Sequence, residues 1–208
     1  MYSKYIKRIF DIGSSILAII MCIPFFMIIS LFVWINLGRP IIFKQLRVSK
    51  DNKIFTMYKF RTMRDIRDAN GNLLPNELRQ TKFGSFLRST SIDELPELWN
   101  ILKGDISFVG PRPLIPEYLP YYTEYELQRH KVRGGLIPPE VLYGDITPTW
   151  QQQFEYEIYY ASHISFLLDF KIIIASLKSV FKRNSIHYGN YNRESFFQER
   201  RSKKEKKD

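Results

Sequence analysis

The sequence holds a single cysteine, Cys22, so no intrachain disulfide can form and the fold must rest on packing. That usage also fits a reducing compartment without requiring one. No repeat of fixed period and no long low-complexity tract is present, which excludes solenoid and array architectures and leaves one domain with its own core as the starting point. Charge is missing altogether between Ile12 and Gly38. That run is longer than the roughly 20 residues a bilayer span needs, and far longer than the 7–15-residue apolar stretch of a secretory signal. A small-residue cleavage site is also lacking, so the run is read as membrane-inserted rather than as a core helix or a removed leader. Recognition helices, zinc fingers and aromatic RNA motifs are absent too. The excess of 31 Lys+Arg over 21 Asp+Glu, a formal charge of +10, therefore points to phosphates or anionic headgroups and not to nucleic acid.

Both flanks of the uncharged run are basic: Lys4, Lys7 and Arg8 precede it, and Arg39, Lys44, Arg47 and Lys50 come after it. A single crossing would concentrate positive charge on one side. Pro24 lies near the midpoint, where its missing N–H and its ring disturb the helix. Together these features predict a re-entrant helical hairpin kinked at Pro24 with both ends cytoplasmic; a straight transmembrane helix is the alternative.

Beyond the membrane run, Pro40 to Gln45 and Ile54 to Met63 read as strands separated by the polar turn 49–52. Alternation puts Phe55, Met57, Lys59 and Arg61 on one face, either as a cationic surface or as an ordinary solvated strand face. Residues 64–80 are turn-rich, with Asn70-Gly71 the sharpest turn signal, and a short helix is expected around Phe83, Phe86 and Leu87, ending near Arg88. A second helix closes at Gly104, and Pro96 fits only in its first turn, which favours Asp93 over Ser91 as the N-cap. Asp93 and Glu94 would then face the free N–H groups of a helix start. Such a carboxylate is either a plain cap or a nucleophile and metal ligand. Ile106 to Val109 reads as a buried strand running into Pro111-Arg112-Pro113, where flanking prolines either hold a phosphate-binding guanidinium in place or form a stiff linker. The stripe Phe170, Ile173, Ile174, Leu177, Val180 and Phe181, with lysines beside it, predicts an amphipathic helix lying at the membrane interface or packed on the core. Residues 1–39 are thus expected to anchor the chain, 40–190 to form a catalytic α+β domain that is mostly α, and 191–208 to be a charged, disordered tail.

Four ordered blocks carry a resemblance: Lys7 to Asp11, Tyr58 to Met63, Arg88 to Pro96, and Leu102 to Pro113. Over about residues 2–183 the chain resembles the bacterial sugar transferases, specifically the small monotopic polyprenyl-phosphate phosphoglycosyl transferases. The resemblance implies a re-entrant membrane helix and Asp93 as the nucleophile that takes a phosphosugar from a UDP-sugar, expels UMP, and passes the group to undecaprenyl phosphate. It implies that Glu94, with Asp93, binds Mg²⁺, or that Glu94 assists proton transfer, and that Lys59, Arg88 and Arg112 bind the substrate phosphates. It further implies the cytoplasmic face of the bacterial inner membrane, contact with membrane lipid, and downstream glycosyltransferases as partners in surface glycan synthesis. Two departures stand out. Ile23 precedes Pro24 where the family usually has serine, and Gly134-Gly135-Leu136-Ile137-Pro138-Pro139-Glu140 replaces its usual Pro-Gly segment, so the donor sugar is not legible. A catalytically inactive homologue that binds lipid or an assembly partner is the competing reading.

Overall fold

The computed structural model describes residues 2–144, 148–182 and 195–205. The chain forms two compact units, one made of residues 12–45 and 56–102, the other of residues 1–11, 46–55 and 103–208.

In the first unit the dominant element is α1 (Lys7–Leu37), whose opening turn belongs to the second unit. Its most apolar window has a mean hydropathy of 2.9, and Ile16, Leu17, Ile20, Met21, Ile23, Phe25, Met27, Ile28, Leu31 and Ile35 are all exposed. A helix of this length and composition that leaves its apolar side chains uncovered is a membrane-associating helix and not the core of a soluble domain. Pro24 sits inside it without ending it, so residues on both sides of the proline belong to one helical element. Only one stripe is covered: Phe26, Ile29, Val33 and Leu37, at helical spacing, pack with Phe60, Phe83, Leu87, Ile92 and Leu95.

The strands β1 (Ile42–Val48) and β2 (Ile54–Phe60) pair with each other. β1 starts and ends later than the composition suggested, and the turn that follows it holds Asp51 and Asn52 in left-handed conformations. After β2 come α2 (Asn76–Arg79), α3 (Lys82–Ser89), a 3₁₀ turn at Ile92–Glu94, and α4 (Glu97–Lys103). Thr81 caps α3 by accepting from the Gly84 N–H at 3.0 Å. Gly104, at φ +90°, terminates α4 as expected of a residue just past a helix end.

The second unit contains β3 (Ser107–Val109), α5 (Glu124–Leu127), β4 (Gly135–Ile137), α6 (Trp150–His163), α7 (Phe166–Lys182) and α8 (Phe196–Glu205). β3 and β4 run parallel, with Ser107 opposite Gly135 and Val109 opposite Ile137. The departing Gly134-Gly135 segment thus makes a strand pairing with no counterpart in the sequence reading. Its glycines are sterically required: a Cβ on Gly135 would lie 2.1 Å from the Gly110 nitrogen, and one on Gly134 would lie 2.8 Å from Pro113. The first turn of α1 is fixed here by two buried carboxylates. Asp169 of α7 accepts from Lys7 (2.7 Å), Tyr2 (2.5 Å) and Tyr160 (2.6 Å), and Asp11 accepts from the Ser107 hydroxyl (2.8 Å) and the Phe108 N–H (3.2 Å).

On α7 Phe166, Leu167, Phe170 and Leu177 are exposed alongside Lys171 and Lys178. Of the expected stripe, Phe170 and Leu177 are thus uncovered, Ile173 is partly buried against the core and Ile174 is partly buried, while the side chains of Val180 and Phe181 lie outside the described residues. Ile172 points the other way into a core with Val109 and Tyr160. The charged tail departs from expectation. Within residues 191–208, Phe196–Glu205 are helical, and Phe196 is buried in the cluster of Leu114, Tyr118, Trp150, Phe154 and Ile158. An aromatic anchor at the start of that helix outweighs the polar composition after it; residues 191–194 and 206–208 lie outside the described residues.

Candidate active site

The candidate site is built within the first unit from β2, the segment after it, α3 and α4. Asn100 of α4, fully buried, accepts from the Tyr58 N–H at 3.1 Å and donates to the Thr56 carbonyl at 2.7 Å. Satisfying both backbone groups from one side chain locks β2 to α4 and sets the register of the next residue, Lys59. Phe60, one further on, packs against Phe26 of α1 with ring centroids 5.6 Å apart, so the membrane helix braces the strand that carries the cation.

Lys59 and Arg61 are not on a solvated face. Lys59 donates to Glu94 at 2.7 Å and pairs with the buried Glu97 at 3.1 Å. Burial pulls the Lys59 pKa down, but the two carboxylates more than offset this and leave it above its ordinary value. Arg61 is consumed by backbone, donating to the Met63 carbonyl at 2.8 Å and to the Arg39 carbonyl. One cation is therefore held by acids and the other by the scaffold.

Arg88, in the last turn of α3, donates to the Thr62 hydroxyl at 2.9 Å. α3 reaches that close because Gly84 faces the chain there: a Cβ on it would lie 1.8 Å from the Thr62 carbonyl oxygen. The helix then ends into Ser91, a non-glycine residue at φ 55° and ψ 18°, a conformation that costs about 1 kcal/mol or more and turns the chain sharply into the 3₁₀ segment. Asp93 lies inside that segment. It is not the N-cap expected from the sequence: α4 begins four residues later at Glu97, and Ser91, the N-cap of the 3₁₀ turn, makes no side-chain capping bond. Pro96 immediately precedes α4, and because it has no N–H to give, successive i→i+3 bonds from Glu94, Leu95, Leu98 and Trp99 carry the chain across it.

Asp93 is 8% exposed. Burial first, then repulsion from Glu94, raises its pKa to about 6, against the opposing pull of Lys59 and Arg88. A carboxylate that is poorly hydrated, still mostly ionised at neutral pH and flanked by cations is suited to attack an electrophilic phosphorus. Asp93 and Glu94 also supply two hard oxygens, and their mutual repulsion is what a divalent cation would relieve. Among the described residues no three His, Cys, Asp or Glu side chains converge as a metal cage, so a cation here would draw its other ligands from substrate phosphates and water.

Of the residues singled out by sequence, Lys59, Arg88, Asp93 and Glu94 share this cluster. Arg112 belongs to the second unit, where its backbone is engaged by Glu157 and Arg129. Glu97 and Asn100 went unrecognised, although Glu94, Glu97 and Asn100 recur at three-residue spacing, as the positions of one helix-like face would. A surface cavity of about 530 Å³ in the second unit is lined by Tyr125, Tyr143, Tyr156 and Tyr159 among others and includes none of the cluster.

Comparison with known proteins gives a match to the family model described as bacterial sugar transferase over residues 2–183. A Bacillus subtilis protein named uncharacterized sugar transferase EpsL is 42% identical over 186 residues, covering 89% of this chain and 92% of the relative. The exopolysaccharide production protein PSS of Rhizobium leguminosarum is 34% identical, with 86% and 96% covered. The UDP-glucose:undecaprenyl-phosphate glucose-1-phosphate transferase of Klebsiella pneumoniae is also 34% identical; 87% of this chain is covered but only 41% of that longer relative.

Proposed function

Because the chain belongs to the bacterial sugar transferase family, we propose that it moves a sugar phosphate from a UDP-sugar to undecaprenyl phosphate through a covalent intermediate on Asp93. The observation that carries this reading is the buried Asp93 carboxylate, its pKa pushed up to about 6, with Lys59 and Arg88 acting on it. In the first step an Asp93 carboxylate oxygen bonds to the β-phosphorus of the donor, and the bond to the bridging oxygen breaks with its electron pair leaving on UMP. In the second, the phosphate oxygen of the lipid carrier attacks the same phosphorus, and the pair returns to Asp93 as the ionised carboxylate. The Klebsiella relative, named for UDP-glucose and undecaprenyl phosphate, supports the reaction class.

Asp93 acts as nucleophile because desolvation makes its electron pair available, and neighbouring cations keep it unprotonated. Lys59 and Arg88 hold positive charge where phosphate oxygens arrive, and Arg112 contributes a further guanidinium to phosphate binding. Glu94, with Asp93, would hold Mg²⁺, which neutralises phosphate charge when bound. α1 keeps the reaction at headgroup depth, where the lipid phosphate resides. We place the catalytic domain on the cytoplasmic side of the inner membrane, with α1 entering and leaving by that face, a reading supported by its two basic flanks and by Pro24. Products feed glycosyltransferases that extend a lipid-linked glycan.

The decisive test incubates purified protein with UDP-sugars labelled in the sugar, Mg²⁺ and no acceptor. Stoichiometric label on Asp93 and an equivalent of UMP are expected, with Asp93→Asn losing both and turnover falling by at least about 10³-fold. UMP release that persists in the variant would overturn the covalent role, and no release from any donor by the wild-type protein would favour a non-catalytic homologue.

A further inference from the structure

Arg112 is unusual in that both of its backbone polar groups are taken by one buried ion pair. Its N–H donates to Glu157 Oε1 at 2.9 Å, and its carbonyl accepts from Arg129 Nη2 at 2.5 Å. Arg129 Nε and Glu157 Oε2 are 2.6 Å apart, with both side chains fully buried. The bonds therefore form a closed ring that begins and ends on a single residue. Gln153 supports Glu157 Oε1 at 3.1 Å, and the Arg129 guanidinium lies 5.5 Å from the Phe154 ring centroid, so neither member has room to swing away.

The chemistry of the ring fits a positioning task better than a stabilising one. Withdrawing two charges from water costs about as much as their attraction returns, and well-packed apolar replacements are often no less stable. The ring does supply directional control of one peptide segment. Prolines on both sides fix φ at 111 and 113, so the torsions of Arg112 are a large part of the freedom remaining in the turn. Gripping its N–H and its carbonyl at once removes that freedom, while the Arg112 residue itself is exposed. Gly134 and Gly135 close the other flank, Gly135 donating to the Pro111 carbonyl at 2.9 Å.

We propose that Arg129 and Glu157 are positioning residues that aim the Arg112 guanidinium at a phosphate group of the substrate. This rests on the reading of Arg112 as a phosphate-binding residue. The experiment is a mutant cycle in the full-length, membrane-reconstituted protein, read as kcat and KM for the donor together with thermal stability. Arg129→Met combined with Glu157→Met removes both charges at similar volume. It is expected to raise the donor KM and lower kcat/KM by roughly 10- to 100-fold, as small misplacements of a contacting group do. In an Arg112→Ala background the same double change is expected to cost nothing further.

Equal losses with and without Arg112 would overturn the proposal, since the pair would then act through general structure, as would an unaltered kcat/KM in the double variant. Should the double variant fail to fold, Arg129→Lys is taken through the same cycle. It keeps the charge but cannot reach Glu157 and the Arg112 carbonyl together, and the same two outcomes decide. Arg112→Ala with wild-type kinetics would instead sink the phosphate-binding reading itself, and is distinguishable because it needs neither pair variant.

Discussion

The two units each contain a cluster of cations and carboxylates, and they treat charge in opposite ways. In the second unit Arg129 and Glu157 are bonded to each other, fully buried and engaged through nearly every polar atom, with Glu140 acting on both. In the first, Lys59 faces Glu94 and Glu97 while Asp93 stands beside them with its ionised form disfavoured. A pair so engaged has nothing left to offer a substrate. The unbalanced cluster keeps an anionic oxygen in a poorly hydrated place and a cation shared between partners, which suits it to chemistry. Charge in a protein interior thus serves as scaffold where it is satisfied and as reagent where it is not.

Removing one partner should separate the clusters most sharply. Glu157→Ala strands Arg129 as a buried charge and is expected to cost about 3–5 kcal/mol, which unfolding in denaturant would register. An Asp93→Asn change should do the reverse. The Asp93 pKa is raised from 3.8 to about 6, so the ionised form burdens the fold above pH 6, while below 3.8 the proton is bound in folded and unfolded chains alike. After discounting for screening, the amide should stabilise the protein on the order of 2 kcal/mol at pH 8. Melting temperatures of variant and wild type are expected to approach one another near pH 4, to diverge as pH rises from there to about 6, and to keep a constant difference above it; a variant less stable at pH 8 would contradict the raised pKa. The smallest effect concerns rate. Activity should fall as pH drops through about 6 and Asp93 takes up a proton, and Lys59→Met, by removing a cation that favours ionisation, should move this acid limb to higher pH. A limb that stays in place would remove Lys59 from the electrostatics of Asp93.

Much of the first cluster was legible because its members sit in short blocks where charge, proline and turn residues occur at fixed spacing. That Pro96 stands at the start of a helix was readable, but the N-cap assignment to Asp93 was not correct, since nothing local reveals that Ser91 adopts a left-handed conformation and diverts the chain into a 3₁₀ turn first. Glu97 and Asn100 were missed for a different reason. Polar residues after a Pro ordinarily form the wet side of a helix, and only the approach of β2 makes them buried. Arg129 and Glu157 carry no local signal: Arg129 stands in a stretch with Glu126, Lys131 and Arg133, Glu157 stands two residues from Glu155, and the two pair across 28 positions of sequence. The strand β4 was hidden because its glycines read as loop.

The contact of Gly134 and Gly135 with the turn at Gly110-Pro111 bears on attempts to exchange this segment among members of the family. Even one methyl group at either position would meet atoms within 3 Å. A graft that begins at residue 134 imports side chains into a crossing point that accepts none. Splicing after Gly135 keeps that crossing untouched and confines the swap to residues from Leu136 onward.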